Sequence, residues 1–241
     1  LTSRRHFTNI SIPGNFDAEL VLQDVKAAKK FSVINITPEL AYIIGFTLGD
    51  GSIQKYMVEV FNRDRKLREH LLKFMQPYGS VTETEREDGL WKLGLSSVKI
   101  ANLIKDENGI RQDTLDYIFD DEELAKKFVA AFWDAEGTVR AQGNYYHIYL
   151  YNSNVLLLDK VKEFLASKNI LFSTLINNHD LNRAYFLKGR RVISRKLVHR
   201  ISVPKSSRDL WIKEIGRHML HSKKSAVVDE MSKNLLRRDG K

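Results

Sequence analysis

The sequence reads as an α+β protein made of two pseudo-symmetric αββαββα halves, and three observations carry that reading. The stretch IIGFTLGDG at 43–51 shares its pattern with VAAFWDAEG at 129–137: an apolar helical run closing on a carboxylate and then a glycine. The carboxylates are Asp50 and Glu136, 86 residues apart, and a period that long, seen twice, points to a duplicated domain. Gly45 and Gly49 in the first stretch, and Ala131 and Ala135 in the second, are small residues four apart. That spacing clears a stripe on each helix, so the two backbones can pack closely as the interface between the halves.

The elements follow in order. Thr37-Pro38-Glu39 is a helix start: threonine caps, proline suits the first position, and glutamate favours the positive end of the dipole. The helix is expected to end at Gly51 in a left-handed cap. Ser52–Gln54 and Tyr56–Asn62 read as a hairpin, with Tyr56, Val58 and Val60 on one face and Met57, Glu59 and Phe61 on the other. Arg63–Gln76 is an amphipathic helix stopped near Pro77 and Gly79. Val81–Arg86 and Leu90–Leu95 pair around Asp88-Gly89, a strong turn signal. Ser96 or Ser97 caps a helix reaching Lys105, and a polar connector leads to Asp120.

The order then recurs. Asp120 or Asp121 opens a helix that carries Glu122 and Glu123 in its first turn and ends at Gly137. Thr138–Gln142 and Tyr145–Asn152 form a hairpin around Gly143-Asn144, and Val155–Lys168 is a helix begun by Asn152-Ser153-Asn154. Phe172–His179 and a stretch reaching Val203 supply the later strands. Ser206 or Ser207 caps a helix over 208–215, and a last helix covers about Ser222–Leu236. Ahead of the repeats, residues 1–36 form an N-terminal extension, with a helix near 16–28 and a strand near 31–36. The halves are expected at 37–118 and 119–241.

Composition narrows the function classes. A chain of 241 residues without cysteine has no disulfides, thiol catalysis or cysteine-based zinc sites. No apolar run approaches a membrane span, and no apolar block follows Arg4 and Arg5, so the expectation is an intracellular protein that is neither secreted nor membrane-bound. The net charge of +9 is uneven: residues 180–241 hold 17 Lys or Arg against 6 Asp or Glu, while the first 179 sum to −2. A basic quarter on a near-neutral body is an electrostatic footprint for a polyanion.

The paired stretches resemble the signature of the LAGLIDADG homing endonuclease family, and two copies in one chain resemble its single-chain members. The likeness covers about residues 37–230. It implies that the motif helices pack together, that the antiparallel sheets form a DNA-binding saddle, and that the protein is a monomer acting on about 20 base pairs of double-stranded DNA. It further implies a site-specific endonuclease that hydrolyses both strands, with Asp50 and Glu136 holding Mg²⁺ alongside the main-chain carbonyls of Gly49 and Ala135. A divalent ion suits the site physically, because two carboxylates at helix C-termini otherwise face each other and the negative dipole ends. The family places a basic residue nearby; Lys223 and Lys224 are the candidates. Gln54 and Gln142 are further polar candidates beside the motifs.

The reading surface is expected on the strands. Tyr145, His147, Tyr149 and Tyr151 alternate against Tyr146, Ile148 and Leu150, and Lys196, Arg200 and Ser202 against Leu197, Ile201 and Val203. With Arg183, Lys188, Arg190, Arg191 and Arg195, these faces would contact base edges and phosphates. His218 and His221 lack the partners of a zinc site and are expected at the surface or facing DNA. The rival reading on the same scaffold is an intron maturase, an RNA-binding splicing cofactor; a regulator that binds without cutting is a second.

Overall fold

Two helices that present no wide polar face fix the architecture. In the computed structural model, which describes residues 35–143, 145–177, 184–187, 190–193 and 196–239, α1 (Pro38–Asp50) is buried continuously from Leu40 to Thr47. A helix apolar on nearly all sides must be covered on nearly all sides. Its cover is α5 (Glu122–Glu136), itself buried from Phe128 to Asp134. Thr37 caps α1 by accepting from Leu40 N–H, and Asp121 caps α5 by accepting from Glu123 and Leu124 N–H.

Small residues set the spacing of this pair. A Cβ built on Gly45 would stand 2.4 Å from the carbonyl oxygen of Phe128, and one on Gly49 would stand 2.5 Å from the Ala135 Cβ. Both glycines are there because a neighbouring helix occupies the space. Gly51 differs from the expected left-handed cap: its φ of −131° is extended, and it already belongs to the first strand. Its missing side chain makes room for the carbonyls of Glu59 and Thr47, 2.6 and 2.7 Å from where a Cβ would be.

Each helix leads into a four-stranded antiparallel sheet of the same order. In the first, β1 (Gly51–Ile53), β2 (Met57–Asn62), β3 (Ser80–Glu85) and β4 (Trp91–Ser96) run β1-β2-β4-β3. The helix α2 (Arg65–Met75) covers one face with Leu67, Leu71 and Met75, spaced four apart. Gly89 turns the β3–β4 hairpin at φ +74°, a conformation that favours glycine. Ser97 caps α3 (Val98–Ile104), and the short pair β5 (Lys105–Asp106) and β6 (Gly109–Ile110) follows. The polar connector expected next instead forms a helix, α4 (Gln112–Asp120), whose inner side is buried through Leu115 and Ile118.

In the second sheet, β7 (Gly137–Gln142), β8 (Tyr145–Asn152), β9 (Ser173–Asn177) and β12 (Val198–Ser202) run β7-β8-β12-β9. The helix α6 (Val155–Ser167) takes the place of α2, capped by Asn154 as α2 is by Asp64. The basic segment between β9 and β12 holds a separate hairpin of β10 (Ala184–Leu187) and β11 (Arg190–Ile193). Then come α7 (Arg208–Glu214) and α8 (Ser222–Asp239). Ser207 makes no capping bond, against expectation; its hydroxyl instead accepts from Leu171 N–H at 2.8 Å. The extension at 1–34 lies outside the described residues.

Adding a methyl at Gly45 sets a helix-propensity gain of about 1 kcal/mol against overpacking of roughly 1–3 kcal/mol, and a backbone carbonyl cannot swing aside as a side chain can. The cost therefore falls at its upper end, and Gly45→Ala is expected to lower stability by about 2 kcal/mol net, read as a fall in denaturation midpoint; an unchanged or raised midpoint would contradict the close helix approach.

Candidate active site at the helix seam

The C-terminal ends of α1 and α5 bring together the two acids of the repeated motif. The Glu136 side chain lies against Gly49, since a Cβ there would be 3.0 Å from Glu136 Cγ. Burial pushes the Glu136 carboxyl up to about 7, and the charge of Asp50 adds to the rise while Lys224 opposes it. Asp50 keeps solvent exposure at the end of its helix, yet the protein packed around it strips enough water to raise its pKa, with Lys224 again opposing. The expected juxtaposition of Asp50 and Glu136 is thus present. Asn152, on β8, donates to Glu136 Oε1 at 3.4 Å.

The two lysines of the HSKKSA segment separate. Lys223 is exposed, whereas Lys224 turns inward and donates to the main-chain oxygens of Trp133 at 3.0 Å and Asp134 at 2.6 Å. Last-turn carbonyls gather at the negative end of a helix dipole, where a cation is favoured. Burial lowers the Lys224 pKa, and the nearby Asp134, Asp50, Glu136 and Asp64 hold it up.

Several residues of this region gave no signal on their own in the sequence. Asp134, two residues before Glu136, is fully buried, and burial lifts its carboxyl to about 6. Its Oδ2 accepts from Tyr42 OH at 2.5 Å, Leu220 N–H at 2.6 Å and His221 N–H at 3.2 Å. Asp64 accepts from Leu67 N–H with Oδ1 and from both the N–H and the hydroxyl of Ser222 with Oδ2. Burial alone would raise the Asp64 pKa, but the Ser222 bonds, the Leu67 N–H and the His221 ring outweigh it, and the net shift is down. His221, expected at the surface or facing DNA, is half-buried: its side chain is 16% exposed, with Nδ1 3.3 Å from Asp64 Oδ2.

The strand faces alternate as the sequence indicated. Ile148 and Leu150 are buried, while Tyr145, His147, Tyr149 and Tyr151 line the opposite face. That face is organised: Tyr149 OH bonds His147 Nδ1 at 2.8 Å, the Arg200 guanidinium sits 4.9 Å from the Tyr149 ring centre, and Tyr151 meets Tyr149 edge-on. The register puts Thr138, Tyr149, Ser202 and Ser173 in one row, and Tyr151, Arg200 and Leu175 in the next. Arg140 stands opposite His147 on the same face, a cation the sequence reading passed over.

Lys196 is not on this strand face. It precedes β12 in a bend, because the strand begins only at Val198; Leu197, expected inside, is 38% exposed. Arg191 is exposed on β11, and of Arg190 only the backbone is described. Arg183, Lys188 and Arg195 lie outside the described residues.

The corresponding face of the first sheet is less basic. Glu59 is buried there between Lys92, Ser52 and Gln54, which donate to it at 3.0, 3.0 and 3.1 Å. The Lys92 bond, outweighing the burial, lowers the Glu59 pKa. Gln54 is thus tied within the protein, while Gln142 is exposed at the end of β7.

Among the described residues, no cluster of three or more His, Asp or Glu side chains stands ready for a metal. The donor set at the seam is two carboxylates with main-chain carbonyls behind them. Such a set fits a hard divalent cation that keeps several waters, as Mg²⁺ does, and no soft-metal site.

Comparison with known proteins agrees with this architecture. Residues 123–202 match the family described as a LAGLIDADG-like domain. The structure of I-DmoI in complex with DNA and Ca superposes with a TM-score of 0.56 at 16% identity, covering 82% of this chain and 100% of that one. I-DmoI in complex with DNA and Mn gives a TM-score of 0.54 at 16% identity, over 75% of this chain and 97% of that one. The N-terminal LAGLIDADG domain of WhiA gives 0.52 at 12% identity, over 86% and 96%. An uncharacterised protein of Methanocaldococcus jannaschii is 26% identical over 181 residues, which span 68% of this chain and 66% of that protein, just under two thirds of its length. Residues 123–202 thus match a LAGLIDADG-like domain, and the described chain shares the fold of these LAGLIDADG structures.

Proposed function

We propose that this chain is a site-specific DNA endonuclease that binds a long duplex target, about 20 base pairs, as a monomer and hydrolyses both strands with divalent metal ions. Its halves would span 37–118 and 119–241. The observation that carries the reading is the meeting of Asp50 and Glu136, one from each repeat, at the end of a shared helix seam with Lys224 beside them. Two carboxylates placed so that one raises the pKa of the other are unfavourable for stability alone, and such arrangements concentrate at functional sites.

In this reading Asp50 and Glu136 hold the metal, with the carbonyls of Gly49 and Ala135 within the same turns. A bound divalent ion supplies Lewis-acid polarisation of the phosphate and a more acidic bound water. The chain's own residues do the rest. The aromatic and basic face of β8 and β12 orients the duplex, Arg140 and Arg200 neutralise phosphates, and His147 and Tyr149 present polar atoms to base edges. Lys224 lies where negative charge collects and would stabilise the phosphate as cleavage adds charge to it. I-DmoI, described with DNA and either Mn or Ca, makes a divalent ion the natural cofactor to test; Mg²⁺ is our choice.

Three outcomes test the reading. Incubated with the intronless allele of its own insertion site, the protein should linearise that DNA only with Mg²⁺. Asp50→Asn and Glu136→Gln should each lower the cleavage rate by about 10²-fold or more while leaving DNA affinity intact. Uncut DNA together with faster splicing of the intron would favour the maturase.

The raised Glu136 pKa has a definite sign. Between about 4.5 and 7 the folded state binds more protons at this site than the unfolded chain, so this term lowers stability as pH rises through that window. A divalent ion relieves the repulsion only once the acids are charged. The rise in melting temperature on adding Mg²⁺ should therefore be larger at pH 8 than at pH 5.5, and Glu136→Gln should remove the difference. An equal rise at both pH values would contradict the assignment.

Arg200→Ala should weaken DNA binding by about 5–10-fold and reduce the salt slope by about one, with metal dependence unchanged. Unaltered affinity would remove the β12 face from the interface.

A further inference from the structure

Among the differences between the two repeats, two lead to the same place. In the motif helices, Asp134 corresponds to Leu48; in the caps of the following helices, Asp64 corresponds to Asn154. Asn154 caps α6 through one oxygen, accepting from Leu157 N–H, so an amide suffices for that task. Asp64 caps α2 with Oδ1 in the same way and has a second oxygen left, which takes the N–H and hydroxyl of Ser222, 158 residues later. Leu48 serves the first motif helix without any carboxylate. Asp134 instead takes the N–H groups of Leu220 and His221, with Tyr42 OH on the same oxygen.

The target of both is Leu220–Ser222, the loop that starts α8. One clamp comes from each repeat: Asp64 from the first sheet side, Asp134 from the second motif helix. Two residues beyond the clamped loop, Lys224 reaches the last carbonyls of α5.

We propose that Asp64 and Asp134 are positioning residues, which together fix the first turn of α8 so that the Lys224 ammonium is delivered to the paired acids Asp50 and Glu136. The α8 turn thereby belongs to the cleavage centre, although neither repeat of the motif contains it. A lysine on a free helix start would spread over several rotamers; one whose helix start is bonded to both halves has its reach defined. The role given to the delivered ammonium rests on the endonuclease reading, but the delivery itself does not.

The test uses the full chain and Asp64→Asn, which keeps an oxygen for the α2 cap and turns an N–H₂ group towards the Ser222 donors. The first readout is reductive methylation of lysines, followed residue by residue by mass spectrometry, with exposed Lys223 as the internal standard. In the unaltered protein Lys224 should react on the order of tenfold more slowly than Lys223; in Asp64→Asn the two rates should converge. The second readout is a double-mutant cycle on DNA cleavage: Asp64→Asn should slow cleavage on its own and have no further effect when added to Lys224→Met. Should Asp64→Asn not fold, Ser222→Ala, which removes only the hydroxyl, takes its place in both.

A folded variant with Lys224 still protected, or effects that add independently in the cycle, overturns the proposal. If the unaltered protein fails to cut DNA but Lys224 becomes reactive in Asp64→Asn, the clamp stands and the endonuclease reading falls.

Discussion

The close approach of two apolar helices is the constraint on which the rest of the molecule depends. Gly45 against the Phe128 carbonyl and Gly49 against Ala135 let α1 and α5 approach closely. Because both helices end in the motif acid, the distance that satisfies packing also fixes where Asp50 and Glu136 meet. Packing here favours, and the acids oppose, the same geometry. Burial of the apolar faces from Leu40 to Thr47 and from Phe128 to Trp133 sustains the repulsion at one end.

Around that seam the protein is symmetric where it packs and asymmetric in its polar chemistry. The sheets share an order, and the helices behind them share a capping scheme. The exposed faces differ. The second carries Arg140, Arg200, His147 and three tyrosines, while the first buries Glu59 under Lys92, Ser52 and Gln54. Under the proposed function, a duplex lying across both would meet two unequal surfaces. Lys224, brought in by a helix outside both motif repeats, extends the asymmetry to the acids themselves.

Much of this was legible in the sequence, for local reasons. Caps such as Thr37, Asp121 and Asn154, the turn glycines at 89 and 143, and the alternation of Tyr145–Tyr151 are set by neighbours within four residues. The seam was legible because it was written twice. Gly51 misled because sequence alone does not separate a glycine needed for positive φ from one needed for space. The helix at 112–120 was missed because its apolar residues are few and a charged stretch surrounds them. Most distant from sequence reasoning was the Asp64 and Asp134 clamp: most of its partners are backbone N–H groups, which every residue but proline offers, at separations of 86 to 158 residues. Only comparison of the two repeats, position by position, marks those carboxylates as unusual.

The most direct measurement is anomalous diffraction from crystals of the protein soaked in Mn²⁺. An anomalous peak is expected within bonding distance of both the Asp50 and Glu136 carboxylates, at the open end of the α1–α5 seam. Density for Mn²⁺ only elsewhere, or the two side chains turned away from each other with no ion between them, would contradict it.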